Sequence, residues 1–112
     1  MKKIIMSILF LVSTQALAEG LTSVGTISYL AIETSIITIQ LEDANNNIIK
    51  ADPDGCGRDW AFILDKNHPR NNTLSAALMS AYHVKAPLKF KLVDCAYLFP
   101  KVEYVMYGDY KP

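Results

Sequence analysis

The sequence carries no surplus of charge of either sign. Eleven lysines and arginines stand against eleven aspartates and glutamates, and the lysines are scattered rather than gathered into a stripe. A nucleic-acid partner, which needs clustered cations to neutralise phosphates, is therefore not expected. Histidine and cysteine are scarce, two of each, and no short ligand spacing joins them, so a zinc site is not expected. No Gly-x-Ser-x-Gly elbow or phosphate-cradling glycine loop occurs, and neither His68 nor His83 sits in a recognisable pair with a nucleophile. Without such a constellation the reading is a non-enzymatic protein with no catalytic residues, no metal and no cofactor. Long apolar runs are missing too. A bilayer requires about 20 apolar residues in succession, and no segment reaches that length.

What apolar run there is lies at the N-terminus and reads as a targeting signal. Lys2 and Lys3 form a basic start, Ile4 to Val12 an apolar stretch, and Ser13-Thr14-Gln15 a polar break before Ala16-Leu17-Ala18. That tripartite pattern is a cleavable signal peptide, with the cut expected after Ala18. Residues 1–18 thus fall outside fold reasoning, and residues 19–112 form a single domain with a secreted or periplasmic destination. Removing Lys2 and Lys3 leaves nine basic against eleven acidic residues, a formal charge of −2. The remaining 94 residues suffice for one core.

In an oxidising compartment a single pair of cysteines suggests a bridge between Cys56 and Cys95, worth roughly 4 kcal/mol on the chain-entropy account. Free or intermolecular thiols are the alternatives.

Between Gly25 and Glu33, and again from Ile36 to Leu41, apolar and polar residues alternate with the period of half-buried strands, and Thr34-Ser35 reads as a tight hairpin. Asp43 to Asn47 has turn composition. A third short strand is expected over Ile48 to Ala51, ended by Asp52-Pro53-Asp54-Gly55. Trp60 to Leu64 is a further hydrophobic segment. Leu74, Ala77, Leu78 and Ala81 then recur at helical spacing, with Asn72 or Thr73 placed to cap the first turn and Pro87 to stop the helix. Leu88, Phe90 and Leu92 mark the next strand, and Val102, Tyr104 and Met106 the last. This order of elements predicts a mostly β fold, an OB-fold-like five-stranded Greek-key barrel with its helix between strands 3 and 4. A small α+β sheet of other topology is the alternative.

Two local patterns have bland explanations. Asp43, Asn45, Asn47 and Asp54 match part of a calcium-loop spacing, but Ile48 replaces the glycine of the sharp turn and Asp54 is too short for the bidentate glutamate. An Asn-rich hairpin turn is the better reading. Asn71-Asn72-Thr73 forms a glycosylation sequon, better explained as a helix start. Among the aromatic residues, Trp60 follows Cys56 closely and is expected to pack the bridge or the core. Tyr97 and Phe99 fall between the last two strands, in a loop that faces ligands in OB-folds. Aromatic faces stack on the apolar face of sugars as on other flat ligands, so Tyr97 and Phe99 are candidate ligand contacts, for a glycan first, or alternatively cover a barrel mouth or an interface.

The segments Gly25-Thr26-Ile27, Ala61-Phe62-Ile63-Leu64-Asp65, Leu74 to Ala81 and Leu88 to Cys95, together with Cys56, resemble small secreted bacterial proteins of the subtilase-cytotoxin B-subunit-like kind, related to the binding subunits of AB-type toxins. The resemblance covers most of the exported chain. It implies an OB-fold, cysteines paired within the subunit, pentameric rings and host-surface glycans as ligands, but no sugar site residue by residue. From Leu74 to Val84 the helix has no acidic, lysine or arginine side chain. Ser75, Met79 and Tyr82, on the side away from its core face, are therefore candidate interface residues of a homo-oligomer. The competing functional expectation is a periplasmic accessory or inhibitor protein acting through protein–protein contacts.

Overall fold

The computed structural model of the chain describes residues 20–108. The leader assigned to residues 1–18 and its cleavage point lie outside them. Five strands and one helix follow in the order β1 (Thr26–Ile32), β2 (Ile36–Glu42), β3 (Phe62–Asp65), α1 (Asn71–Val84), β4 (Leu88–Ala96) and β5 (Phe99–Tyr107). They build one mixed five-stranded sheet in the order β1-β2-β3-β5-β4, antiparallel except for the parallel contact between β3 and β5. The helix falls between the third and fourth strands, as the order of elements predicts.

The sheet does not close through its named strands. Instead the residues ahead of β1 reach across to β4: Gly25 exchanges two hydrogen bonds with Leu88 (2.9 and 2.8 Å), Thr22 N–H donates to Phe90 O (2.9 Å) and Leu92 N–H donates to Gly20 O (2.7 Å). The Thr22 hydroxyl, buried, accepts the Phe90 N–H at 3.0 Å. Gly25 is required where it stands, because a Cβ there would lie 2.5 Å from Glu42 O and against the Ile49 side chain.

Period-two patterning determines the inner face of β2 without exception: Ile37, Ile39 and Leu41 are buried and the residues between them are not. Leu88, Phe90 and Leu92 do the same on β4, and Leu74, Leu78 and Ala81 of α1 join the same core, with the helix lying over β1 and β3. Phe62 and Phe90 meet edge to face at its centre, 5.7 Å between ring centroids.

Four local expectations change. The segment Ile48 to Ala51 is not a strand. Only Ile48 bridges back to Glu42, while Ile49 drops into the core and hydrogen-bonds Leu41 O. The third strand is Phe62–Asp65, whose first three residues are all buried, so the alternation that marks a half-exposed strand is lost there.

Irregular registers account for the next two. Between Ile27 and Tyr29 the pairing with β2 shifts, so Ile27 points inward and Tyr29 outward although they are two residues apart. In β5 the shift at Lys91/Leu92 skips Glu103, which places Val102 inside and Tyr104 outside. Last, the helix begins earlier than Asn72. Its N-cap position is Arg70, without a side-chain cap, and Asn71 instead donates from Nδ2 to Asp65 O (3.0 Å), anchoring the first turn to β3. At the other end Lys85 adopts left-handed backbone (φ 53°), ending the helix before Pro87.

Candidate functional site

The turn joining β4 to β5 is built against local preference. Ala96 pairs with Phe99, leaving Tyr97 and Leu98 as a two-residue hairpin loop, and both have positive φ, 54° and 69°. Two-residue loops of this φ pattern normally carry Asn-Gly or Asp-Gly, because left-handed backbone costs a bulky L-residue about 1–2 kcal/mol. Here the two positions hold a tyrosine and a leucine, and both project into solvent, 66% and 57% exposed. Asp94, two residues before the turn, is also left-handed (φ 64°). Strained backbone of this kind persists only where the surroundings hold it, and it concentrates at functional sites.

The surroundings that hold it come from the segment 52–60. Cys56 and Cys95 form a disulfide, with Cα atoms 5.6 Å apart. Asp52 organises the loop from below: its Oδ1 accepts Cys56 N–H (2.6 Å) and its Oδ2 accepts Gly57 N–H (2.9 Å). Asp54 Oδ2 accepts Asp94 N–H (2.8 Å), and Arg58 N–H donates to Leu98 O (2.9 Å). Each bond ties the loop to the hairpin.

Trp60 is thereby laid against Phe99, ring centroids 5.3 Å apart and nearly perpendicular. The Arg58 guanidinium sits 5.4 Å from the Phe99 ring centroid and 6.0 Å from that of Trp60, within cation–π range of both. Trp60 does not enter the core. It is 42% exposed and lies against Phe99 and Arg58. Arg58, Trp60 and Phe99 thus form an aromatic platform with a single cation, adjoining the exposed turn residues Tyr97 and Leu98 through the Arg58–Leu98 hydrogen bond.

Of the two residues singled out from the sequence, Tyr97 is at the tip and Phe99 is the first residue of β5, half-buried beneath Trp60. Sequence reasoning missed Arg58, Trp60 and Leu98 as members of the site. For Leu98 a signal existed: a Tyr-Leu pair where a tight turn calls for Asn-Gly.

The other candidates are placed elsewhere. Ser75 and Met79 line a shallow groove of about 140 Å³ between α1 and the β1–β2 hairpin, together with Ile32 and Ile36. The Ser75 hydroxyl donates to Asn71 O within its own helix (2.6 Å). Met79 and Tyr82 are exposed, as are Tyr29 and Ile32 on the neighbouring strand.

His68 has both ring nitrogens bonded to backbone. Nδ1 accepts Arg70 N–H (2.9 Å), so Nε2 carries the proton and donates to Glu103 O (2.8 Å), the carbonyl at the β5 irregularity. His83 lies in the last helical turn, its ring 6.4 Å from that of Tyr82. The Asp43 turn is closed by its own side chain, whose Oδ1 accepts the N–H groups of Asn45 and Asn47. Among the described residues no group of three or more His, Cys, Asp or Glu side chains is placed to hold a metal ion, and no helix is long and apolar enough to cross a membrane.

Comparison with known proteins gives no matching family model, curated protein or solved structure.

Proposed function

We propose that the chain is an exported, non-enzymatic binding module of OB-fold type whose recognition surface is the platform at the β4–β5 tip. The strand order, the parallel β3–β5 contact and the bridges from residues 20–25 to β4 are those a Greek-key barrel of this kind would have. Export is supported by the signal-peptide pattern and by the disulfide, which is stable in an oxidising compartment. One observation carries the binding assignment: two bulky residues, Tyr97 and Leu98, occupy backbone that disfavours them and are exposed. Most of both side chains stays in solvent, so folding gains little from their bulk. A surface that binds does gain from it.

The ligand class proposed is a saccharide. Aromatic faces stack on the apolar face of a sugar ring, and Tyr97 and Trp60 offer such faces at the solvent boundary, with the Arg58 guanidinium as a donor beside them. Screening the oxidised protein against immobilised glycans tests the assignment. Replacing Tyr97-Leu98 by Asn-Gly is expected to abolish that binding while raising stability by about 1–3 kcal/mol, because the left-handed backbone is relieved. A double variant that binds as before would remove the tip from the site. The exposed aliphatic Leu98 favours a second reading, a protein partner in the envelope, for which the glycan screen would be blank and a cross-linker placed at residue 98 would capture a defined protein.

The module is further proposed to assemble as a ring. The uncharged outer face of α1 supports this, with Met79 and Tyr82 exposed beside Ile32 and Tyr29. A small domain has little core of its own, and burying that face against a neighbour would add apolar area. Light scattering of the disulfide-intact protein is expected to report a pentamer. A monomer mass at every concentration tested would rule the ring out while leaving the platform untouched.

A further inference from the structure

We infer that the Cys56–Cys95 bond is a reducible latch on the aromatic platform, and that a dithiol reductant opens the platform without unfolding the sheet. Neither cysteine belongs to the apolar cluster formed by Ile27, Ile39, Leu41, Phe62, Leu78, Phe90 and their neighbours. The bond instead joins the loop carrying Arg58 and Trp60 to the end of β4, past the register irregularity between Leu92 and Cys95 and next to the hairpin turn. Besides it, the loop is held to the hairpin by the Arg58–Leu98 and Asp54–Asp94 hydrogen bonds and by the contacts of Trp60 and the Arg58 guanidinium with the Phe99 ring. The Asp54–Asp94 bond is exposed and Trp60 is partly so. Surface contacts of this kind contribute little against water. Across the bond from them stand Asp94, Tyr97 and Leu98, three residues with left-handed backbone that relaxes when its constraint is released.

Access is built in on one side. Cys95 is exposed whereas Cys56 is buried, so a thiolate of the dithiol attacks the Cys95 sulfur. The Sγ–Sγ bond breaks, Cys56 leaves as a thiolate and takes up a proton. The second thiol of the reductant then attacks its own sulfur in the mixed disulfide, expelling Cys95, which is protonated in turn. Two electrons and two protons pass to the protein, and the reductant ends as a cyclic disulfide.

The latch itself does not depend on what the platform binds; only its consequence for ligand binding rests on the saccharide assignment. Trp60 is the sole tryptophan, so its fluorescence reports the platform alone. Oxidised protein is compared with dithiol-treated protein and with a Cys56→Ser/Cys95→Ser variant, following tryptophan emission, far-ultraviolet circular dichroism and amide exchange. Expected in both open forms are a shift of emission to longer wavelength, greater access of a soluble quencher, and lost protection at the Arg58 amide. The Phe62 and Phe90 amides and the dichroism of sheet and helix should be retained. Unchanged Trp60 emission would overturn the inference, and so would loss of the dichroism and of core protection together with it. If Trp60 moves as expected but no saccharide ever binds the oxidised form, the latch stands and the saccharide assignment falls.

Discussion

Replacing Phe90 by alanine is expected to lower the free energy of unfolding by about 3–5 kcal/mol, the range for deleting a buried ring and leaving a cavity behind. Phe90 is fully buried. Its ring stands edge to face with Phe62, a pairing worth about 0.5–1.5 kcal/mol beyond the area buried, and its backbone N–H is held by the Thr22 hydroxyl. The position therefore joins the inner faces of β3 and β4 to the segment ahead of β1. A domain of this size has a total stability of about 5–15 kcal/mol, so the loss should be plain in the urea midpoint. Glu103→Gln, at an exposed side chain whose backbone carbonyl is what His68 uses, should stay within about 0.5 kcal/mol of the parent. A Phe90→Ala midpoint equal to that of Glu103→Gln would contradict the placement of this ring at the centre of the core.

The second large effect is expected from Cys56→Ser/Cys95→Ser. The bond closes a sequence separation of 39 residues, and constraining the unfolded chain over that length is worth about 4 kcal/mol on the entropic account. The urea midpoint should fall accordingly while unfolding stays cooperative, since the cysteines lie outside the apolar cluster. A midpoint that does not move would mean that the unfolded chain gains little freedom when the bond is absent.

Elements with a single buried face were readable in advance. Ile37, Ile39 and Leu41 on β2, Leu88, Phe90 and Leu92 on β4, and Leu74, Leu78 and Ala81 on α1 declare themselves by spacing, because each element shows water one side and the core the other. The misplaced third strand has the opposite character. Phe62, Ile63 and Leu64 are buried on both sides and have no alternation to read, while Ile48 to Ala51 has the composition of a strand but forms only one bridge. Irregular registers at Ile27/Tyr29 and at Glu103 depend on which residues the partner strand offers, and periodicity within one strand does not contain that information.

The platform divides the same way. Tyr97 was legible because a loop between two strands presents its residues to solvent. Arg58 and Trp60 were not, since their contacts with Phe99 are made across some forty positions of sequence that include the helix and two strands, and no local pattern reports them. The disulfide itself was legible from compartment and parity alone.

The bridges that join residues 20–25 to β4 also bear on the order of folding. Thr22 and Phe90 are 68 positions apart, and during synthesis the first of them emerges well before the second. Until β4 arrives, the backbone of that leading segment has only water to bond. Contacts across so long an interval are slow to form, because the chain must close the loop before it gains anything from the contact. The β1–β2 hairpin and α1 involve near neighbours in sequence and are not delayed in this way. Joining these two margins of the sheet is accordingly expected to be a late step of the folding reaction, and the interval before it to be when an unpaired strand edge is open to another chain.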